Sequence, residues 1–554
     1  MMKRKLIALS LSAALLLAAF PVGTYAAETS LAAKAASVVP YRLGCDIFRY
    51  IPDAAKWMEK GLNSADPLTR SGYTLLYYLL WPGAMAVNRI GGLSAKHECG
   101  ICVPDYDAPV TLRSEILGGF SKSGRKCWTP AGEGDSVGIQ LERESTINLA
   151  VIEEIGNQVQ YFRLQAWVGG AWQTIYRCEK IQRLRLCTFD PVTTDRVRLV
   201  IDKIRGSSTP VRIKSISLYN EPEREAADFQ TTLYEHINGS EPPSAILARG
   251  EAYARAFSRF YEVYNTIIVF DAVNWDGEGS MYYRGGGEEW FAREIAALRE
   301  IIALRANPPH DVRIIVCALP DGAFGRDPWE SVNLKMAEHW EDVADQMIDF
   351  LVKYDLDGLD IDWEFPRTAE DWQCYDNFIA RLDDGMKRVK PGAALTAALS
   401  GGFLGMAPET LARFDQLQYM AYDGFDEDGF HSGLHEAQKG LAEFVRRGVD
   451  VSRINIGIGA YGRPADGRAY WPNWRDQPGA NYWDCKYYDV PYGDLVFDVT
   501  YCSPAVAGDK VAYALFAGAG GVMVWDSGGD RTMDDPVSVA CGIENALKRY
   551  TITW

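Results

Sequence analysis

Four acidic residues stand in the short stretch "DGLDIDWE", residues 357–364, between apolar neighbours that are typical of a buried strand. Aspartate and glutamate are poor strand residues, so their presence here needs a reason. Because side chains alternate across a strand, Asp360, Asp362 and Glu364 share one face at a spacing of about 6–7 Å. The apolar residues between them share the other face. Asp357 is the fourth acid and begins the stretch.

Three carboxyl groups at this spacing favour acid–base chemistry. Two unit charges ~6.7 Å apart repel by roughly 2.5 kcal/mol at an effective dielectric constant of ~20. This energy is equivalent to a pKa shift of about 2. At least one of the three should therefore hold a proton near pH 7, as a general acid requires. Two alternatives stay open, a Mg²⁺ or Ca²⁺ site and ion pairs with basic residues of other strands. No Lys or Arg lies between Lys353 and Arg367.

The surrounding sequence alternates between strand-like and helical segments, such as the amphipathic runs 290–305 and 338–354. Eight strands in such a pattern predict an α/β fold, a (β/α)8 TIM barrel over residues 244–550, whose active site lies at the carboxyl ends of the strands. An open doubly wound sheet is the structural alternative, but no GxGxxG follows a strand. The predicted strands are 244–250, 265–273, 312–320, 357–365, 394–400, 417–423, 454–462 and 521–529.

The acidic stretch resembles the DGxDxDxE signature of glycoside hydrolase family 18, the chitinase-like barrels. Three later segments are similar to motifs of that family in the same order: "YMAYD" (419–423) to its MxYD, "GIGAYGR" (457–463) to its seventh-strand region, and "GGVMVWD" (520–526) to its last strand. The third strand differs from the family's pattern, because it ends in "CALPDG" (317–322) and not in SxGG. The resemblance covers more than half of the chain.

That resemblance implies a retaining, substrate-assisted glycoside hydrolase, whose nucleophile is the carbonyl oxygen of the substrate's own N-acetyl group. Glu364 would protonate the glycosidic oxygen. Asp362 would hold the acetamido N–H and stabilise the oxazolinium ion, and Asp360 would share a proton with Asp362. Tyr422 would hydrogen-bond the acetamido oxygen. The predicted substrate-binding residues are Asp423, Met420, Trp525 and Asp357, with Trp525 as the apolar floor beneath the sugar ring. We expect no cofactor and no metal.

The substrate is expected to be a β-1,4-linked glycan that contains N-acetylglucosamine. Chitin, the chitobiose core of N-glycans and peptidoglycan all stay open, because the aromatic-rich segment 463–519 is shorter than the extra domain of some processive chitinases. The sequence "DWEFP" resembles chitinases more than many N-glycan-cleaving members. A non-catalytic lectin of the same fold is the rival class, and the retained Glu364 favours an enzyme.

Charge and the N-terminus limit the partners and the location. The 57 basic and 74 acidic residues give a net charge of −17, which disfavours nucleic acid. Residues 1–26 predict a signal peptide, with a basic start, an apolar run at 6–20 and small residues before the cleavage site. That run is short for a membrane anchor, which needs ~20 residues. We therefore expect a secreted, extracellular protein without an anchor, in which some of the eleven cysteines could pair.

Residues 98–220 predict an all-β sandwich, from short strand-like runs and a Gly-Gly hairpin turn. The pattern resembles the discoidin-like sandwich often attached to secreted glycosidases. It implies a carbohydrate-binding module, dispensable for the chemistry, in which Trp128, Trp167 or Trp172 could be exposed for sugar stacking. The alternative is that these tryptophans belong to the core.

Two further segments complete the predicted organisation. Residues 27–97 have no assigned role. Residues 221–243 carry charge and proline with few apolar residues, so they predict a linker, and "NGS" at 238–240 fits an N-glycosylation acceptor.

Overall fold

The computed structural model describes residues 110–553, with gaps at 123–126, 207–208, 238, 240, 277, 307–309, 321–328, 365, 367–368, 401–405, 427 and 447–448, together with isolated positions between 57 and 76. The predicted signal peptide, most of residues 27–97 and the glycosylation acceptor Asn238 lie outside the described residues. In the described part, no helix is both long enough and apolar enough to cross a membrane.

The N-terminal part is all-β, as predicted. It is one antiparallel sheet of six strands in the order β1-β6-β2-β5-β3-β4. The register between the two longest strands shifts between Gln140 and Ser145 and again between Ile147 and Leu149, and such bulges bend a sheet. The discoidin-like resemblance stays a prediction. The strands are β1 (Gly118–Ser121), β2 (Ser136–Glu154), β3 (Val159–Val168), β4 (Ala171–Cys178), β5 (Leu184–Ile204) and β6 (Ile213–Tyr219).

The tryptophans proposed for sugar stacking are partly covered. Trp128 packs against the core. Trp167 and Trp172 are half-buried and meet edge to face with ring centroids 5.4 Å apart. The guanidinium of Arg196 lies 4.5 Å from the Trp167 ring, and that of Arg198 lies 4.4 Å from the Trp172 ring. One face of each of these two indoles is therefore occupied by a cation.

The C-terminal part is a closed barrel of eight parallel strands, β8, β9, β11, β12, β13, β14, β15 and β19, in which β8 pairs with both β19 and β9. This confirms the predicted (β/α)8 fold. The strands that follow the sheet are β7 (Arg224–Glu225), β8 (Gln230–His236), β9 (Thr266–Trp275), β10 (Met281–Tyr283), β11 (Arg313–Pro320), β12 (Gly358–Ile361), β13 (Ala394–Leu399), β14 (Gln416–Tyr419), β15 (Ile454–Gly459), β16 (Gly462–Pro464), β17 (Lys486–Tyr492), β18 (Leu495–Tyr501), β19 (Gly521–Trp525) and β20 (Thr551–Thr553).

The helices follow from amphipathic patterns and from their capping residues. In the helix after β10, Phe291, Ile295 and Leu298 recur on one face and are buried. The helix before β19 starts at Ser503, whose side chain caps Val506 N–H, and ends at Gly518 in the left-handed region. The helices are α1 (Pro243–Ala248), α2 (Glu251–Ser258), α3 (Phe260–Val263), α4 (Glu288–Ala303), α5 (Trp329–Lys353), α6 (Ala369–Val389), α7 (Pro408–Leu411), α8 (Leu434–Arg446), α9 (Pro504–Ala517) and α10 (Val539–Tyr550).

The first barrel strand lies where the sequence predicted a linker. Residues 244–250 were expected to be a strand, but they overlap helix α1, which starts with Pro243 in its first turn, a position that proline favours. The strand is β8, inside segment 221–243, and its residues 231–235 are buried although most of them are polar. The linker prediction is therefore wrong, because the charged and proline-rich flanks hid a strand of seven residues. The other seven predicted strands are confirmed.

The sheet packs directly on the barrel through buried polar contacts. Asp509 of α9 has no exposed surface. Its carboxylate accepts hydrogen bonds from the Tyr176 hydroxyl at 2.6 Å, from Arg185 at 2.8 Å and from the Thr188 hydroxyl at 2.8 Å, all in the sheet. Burial raises the pKa of Asp509, and these contacts favour its charged form. The sheet thus packs on the barrel through buried polar contacts, and its dispensability for the chemistry stays a prediction.

We predict that Arg185→Leu destabilises the full chain by about 3–5 kcal/mol, because it leaves the Asp509 carboxylate buried without its cation. The control is Arg255→Leu, which removes an exposed ion pair with Glu251 and should cost less than about 1 kcal/mol. Urea unfolding followed by tryptophan fluorescence gives both values. Equal losses for the two variants would show that the interface contact is not structural.

Candidate active site

The barrel interior carries the predicted acids on its inward face. A small inner core of residues from several strands, Tyr234, Ile268, Phe270, Ile315, Cys317, Ala394 and Met523, lies inside the barrel. On strand β12, Leu359 and Ile361 belong instead to the outer core between strands and helices. The Asp360 side chain points inward and is fully buried. The predicted alternation of acid and apolar residues is confirmed.

Asp360 is the deepest of the three acids, and neighbouring strands hold it. The hydroxyl of Tyr234 on β8 donates to one carboxylate oxygen at 2.9 Å, and that of Thr396 on β13 donates to the other at 2.5 Å. The Cys317 thiol on β11 also hydrogen-bonds this carboxyl group. Burial raises the pKa of Asp360, and these hydrogen bonds lower it in part.

Asp362 and Glu364 follow the end of β12, and their carboxyl groups hydrogen-bond each other. Burial, together with the negative charges of Glu364 and Asp360, raises the pKa of Asp362 well above its usual range. Burial and the charge of Asp423 raise the pKa of Glu364 to about 7. The Asp362 carboxyl group is thus paired with that of Glu364, and the sharing of a proton between Asp362 and Asp360 stays a prediction. Buried Oδ1 of Asp362 has no hydrogen-bond partner among the described residues.

The end of β14 supplies the opposite wall. Tyr422 lies in the cavity lining, and its hydroxyl contacts the Met523 sulfur at 3.8 Å. Asp423 has a φ of +66°, a left-handed conformation that aspartate tolerates better than most residues. Its carboxylate accepts from Arg463 at 2.5 Å. The backbone N–H of Gly424 donates to the Glu436 carboxylate at 2.8 Å.

Trp525 closes the cavity at the end of β19. Its indole packs at a steep angle on Phe270 and at a tilt on Tyr234, with ring centroids 4.5 and 5.3 Å away. The His236 ring lies 5.4 Å from it, and His236 Nε2 is 3.1 Å from the Asp526 carboxylate. The indole is therefore fixed from behind, while its ring lines the cavity.

These residues surround a cavity of about 610 Å³, within the size range of small-ligand sites. The structure brings together all of the predicted site residues except Asp357; Asp360 lies beneath the cavity and the others line it. The lining residues are Tyr234, Asp362, Glu364, Ala398, Ser400, Tyr419, Met420, Tyr422, Asp423, Gly424, Glu436, Tyr461, Trp471 and Trp525.

Asp357 is misassigned as a substrate-binding residue. It precedes the first residue of β12, so it lies at the amino end of the barrel, opposite the cavity. Its carboxylate accepts the backbone N–H of Ile314 at 2.8 Å. Because parallel strands all point the same way, an acid before a strand cannot reach the site that follows it. Asp357 has a structural role at the edge of β11.

Sequence reasoning missed several residues that line the cavity, and it missed Arg463, which holds the lining residue Asp423. Tyr234 was hidden in the segment predicted as a linker. Tyr461 and Arg463 lie inside the quoted "GIGAYGR" segment, so their signal was present but was not assigned. Glu436 and Trp471 come from a helix and a loop that no motif marked, and only the folded chain brings them to the cavity.

Among the described residues, the only group of three side chains arranged as possible metal ligands is Cys178, Glu179 and Cys485. It lies between the sheet and the barrel, apart from the acids. The Glu179 carboxylate accepts the backbone N–H groups of Cys485 at 3.0 Å and Lys486 at 3.1 Å. Its oxygens thus already fasten the loop before β17.

Fold and site define a TIM barrel with an acidic pocket at the carboxyl ends of its strands. Within it, residues 327–530 match the sequence profile described as "Glycosyl hydrolases family 18". Over these residues the barrel is similar to glycoside hydrolase family 18.

Individual relatives share only part of their length with this chain. It is 25% identical over 261 residues to Chitinase A1 of Niallia circulans, covering 34% of this chain and 37% of that protein. It is 31% identical over 146 residues to an Endochitinase of Manduca sexta, covering 21% of this chain and 26% of that protein. A solved chitinase structure from Bacteroides thetaiotaomicron aligns with 16% identity and a TM-score of 0.45, over 58% of this chain and 97% of that one.

We predict that one carboxyl group of the site ionises near pH 7 and that Asp423→Asn moves this ionisation to lower pH. The reason is that the Asp423 charge opposes ionisation of Glu364, so its removal favours the anion. Carbon-13 NMR of labelled glutamate side chains measures the titration, with Glu364→Gln identifying the signal. An unchanged or higher value in Asp423→Asn would contradict this electrostatic assignment.

Proposed function

We propose that this chain is a secreted, retaining glycoside hydrolase that cleaves β-1,4 linkages of N-acetylglucosamine-containing glycans by substrate-assisted catalysis. The observation that carries the proposal is the hydrogen-bonded Asp362–Glu364 pair, with the pKa of Glu364 raised to about 7, in a cavity closed by Trp525. A carboxyl group with such a pKa is suited to protonate a leaving group near neutral pH.

One proton can serve both acids of the pair. While it resides on Asp362, Glu364 is the anion and the site is at rest. When substrate binds and the proton moves across the hydrogen bond, Glu364 becomes the acid and Asp362 becomes the carboxylate. A single short transfer then supplies a proton for the glycosidic oxygen and a negative charge for the developing oxazolinium ion.

The nucleophile comes from the substrate. The carbonyl oxygen of the N-acetyl group attacks the anomeric carbon, the bond to the leaving oxygen breaks, and Glu364 gives that oxygen its proton. Buried Asp362 Oδ1 has no partner among the described residues, so it can accept the acetamido N–H. The Tyr422 hydroxyl, whose one hydrogen bond within the described part of the chain goes to a weak sulfur acceptor at 3.8 Å, can donate to the acetamido oxygen. Water, activated by Glu364, then opens the oxazolinium ring.

Chitin-type oligosaccharides are the substrates we favour. The indole of Trp525 offers an apolar surface for a sugar ring, and the exposed indole of Trp471 lines the same cavity. The matched relatives carry the names chitinase and endochitinase. Export rests on the N-terminal sequence, and the presence of Glu364 favours an enzyme over a lectin that lacks the acid.

We predict that Glu364→Gln lowers kcat on an unactivated chitooligosaccharide by at least ~10²-fold, because it keeps the shape of the side chain but removes the acidic proton. The matched control is Glu436→Gln, another carboxyl group of the cavity lining, whose amide oxygen can still accept from Gly424. Its loss should stay below about tenfold. Near-normal turnover by Glu364→Gln would overturn the assignment of the acid.

We predict further that the first product of a β-linked substrate is the β-anomer, because two inversions at the anomeric carbon give net retention. The same oligosaccharide without its N-acetyl groups should be nearly inert, since its nucleophile is missing. Proton NMR in the first minutes of the reaction reads the anomer. An initial α-anomer would instead indicate direct attack by water.

A further inference from the structure

The β-sheet holds a barrel loop that begins in the candidate active site. We call residues 424–431 the β14 loop, because they follow β14 and come directly after Asp423. Asp426 organises this loop: one carboxylate oxygen accepts the N–H groups of Asp428 at 2.8 Å and Phe430 at 3.0 Å. The N–H of Asp426 also donates to the carbonyl of Phe430 at 3.0 Å. Asp428 and Phe430 of the loop are thus both held by Asp426.

Lys180 of the sheet reaches into this loop. Its side chain is only 3% exposed, and its ammonium group lies 2.5 Å from the second Asp426 oxygen and also contacts Asp428. The same ammonium lies 4.9 Å from the centre of the Phe430 ring. A buried cation is costly unless it is paired, so the two carboxylates are confined to the place where Lys180 presents its charge.

Other sheet side chains converge on the same two carboxylates. Gln182 donates to Asp426 at 3.0 Å, and Gln160 donates to Asp428 at 3.1 Å. Arg205 forms an ion pair with Asp428. Two cations of the sheet thus balance two anions of the loop. The accompanying hydrogen bonds from Gln182 and Gln160 also orient the two loop carboxylates.

The loop is joined to the site by a very short piece of chain. Two residues separate Asp426 from Asp423, whose carboxylate is held by Arg463 at 2.5 Å. Gly424 between them is tied to Glu436. A displaced loop would therefore move Asp423, and Tyr422 with it, because the connection is only two residues long and Gly424 within it is held by Glu436.

We propose that the β-sheet, through Lys180, positions the β14 loop and thereby sets the places of Asp423 and Tyr422 for substrate binding and catalysis. The inference rests on the proposed glycoside hydrolase function. Lys180 is a positioning residue, since it acts through Asp426 and does not line the cavity. The sheet then contributes to the reaction whether or not it binds sugar.

The test compares Lys180→Met, Lys180→Arg and Arg177→Met in the full chain. Arg177 is a matched control, because it joins the same sheet to the barrel through Asp484 at 3.4 Å, away from the β14 loop. In Lys180→Met we expect a higher KM and a lower kcat on chitooligosaccharide, with kcat/KM down by about tenfold or more, since ~1 Å of misplacement can cost ~10²-fold. Lys180→Arg should recover most of the activity, and Arg177→Met should stay within about twofold of the wild type.

Hydrogen–deuterium exchange of peptides from the β14 loop gives a readout that does not depend on activity. We expect faster exchange there in Lys180→Met and not in Arg177→Met. A purely structural contact would lower the active fraction, and hence kcat, while KM and loop exchange stay unchanged, and this result would overturn the inference. If Lys180→Met does not fold, Gln182→Leu, which removes a milder contact to Asp426, is judged by the same two measurements.

The two proposals fail in different ways. A wild-type chain that cleaves no N-acetylglucosamine oligosaccharide would overturn the proposed function, while the exchange measurement still decides whether Lys180 orders the loop. An active wild type in which Lys180→Met and Arg177→Met behave alike would overturn only the positioning role.

Discussion

The removal of carboxyl groups from water is the constraint on which the site depends. Asp360 and Asp362 are at most 2% exposed in the barrel interior, where an ionised carboxyl group is costly. The surroundings reduce this cost in two ways. Hydroxyl groups from two other strands stabilise Asp360, and a shared proton neutralises part of the Asp362–Glu364 pair. The proton that the proposed reaction needs is therefore present because burial makes full ionisation unfavourable.

Buried charges also determine the contacts at the interface between sheet and barrel. Asp509 and Lys180 are buried charges, and each is paired with a residue of the other part of the chain. Such pairs contribute little net stability compared with apolar packing, but removal of one partner is strongly destabilising. They therefore specify how the two parts fit together. One pair anchors the sheet to helix α9, and the other anchors it beside the active site.

Local patterns predicted the barrel and most of its site. Seven of the strands are short apolar runs, and the acids of the site alternate with apolar residues along residues 359–364. Motifs could place Glu364, Tyr422 and Trp525 because each stands at the carboxyl end of its own strand or within three residues of it. Strand β8 escaped because three of its five buried residues, Thr231, Thr232 and Glu235, are polar. Asp357 was misassigned because a motif does not show at which end of a strand a residue stands. The contacts of Lys180 join residues about 250 positions apart, 246 in the case of Asp426, and no local pattern reports such a distance.

The buried contact between Arg185 and Asp509 also has a consequence for biosynthesis. The two residues are 324 positions apart, so the sheet leaves the ribosome long before helix α9 exists. Until then Tyr176, Arg185 and Thr188 have no anion to surround, and the sheet presents an incomplete polar surface. Contacts of such long range slow folding, and large chains that wait for them expose surfaces that aggregate. Final docking of the sheet through this contact must come after synthesis of helix α9.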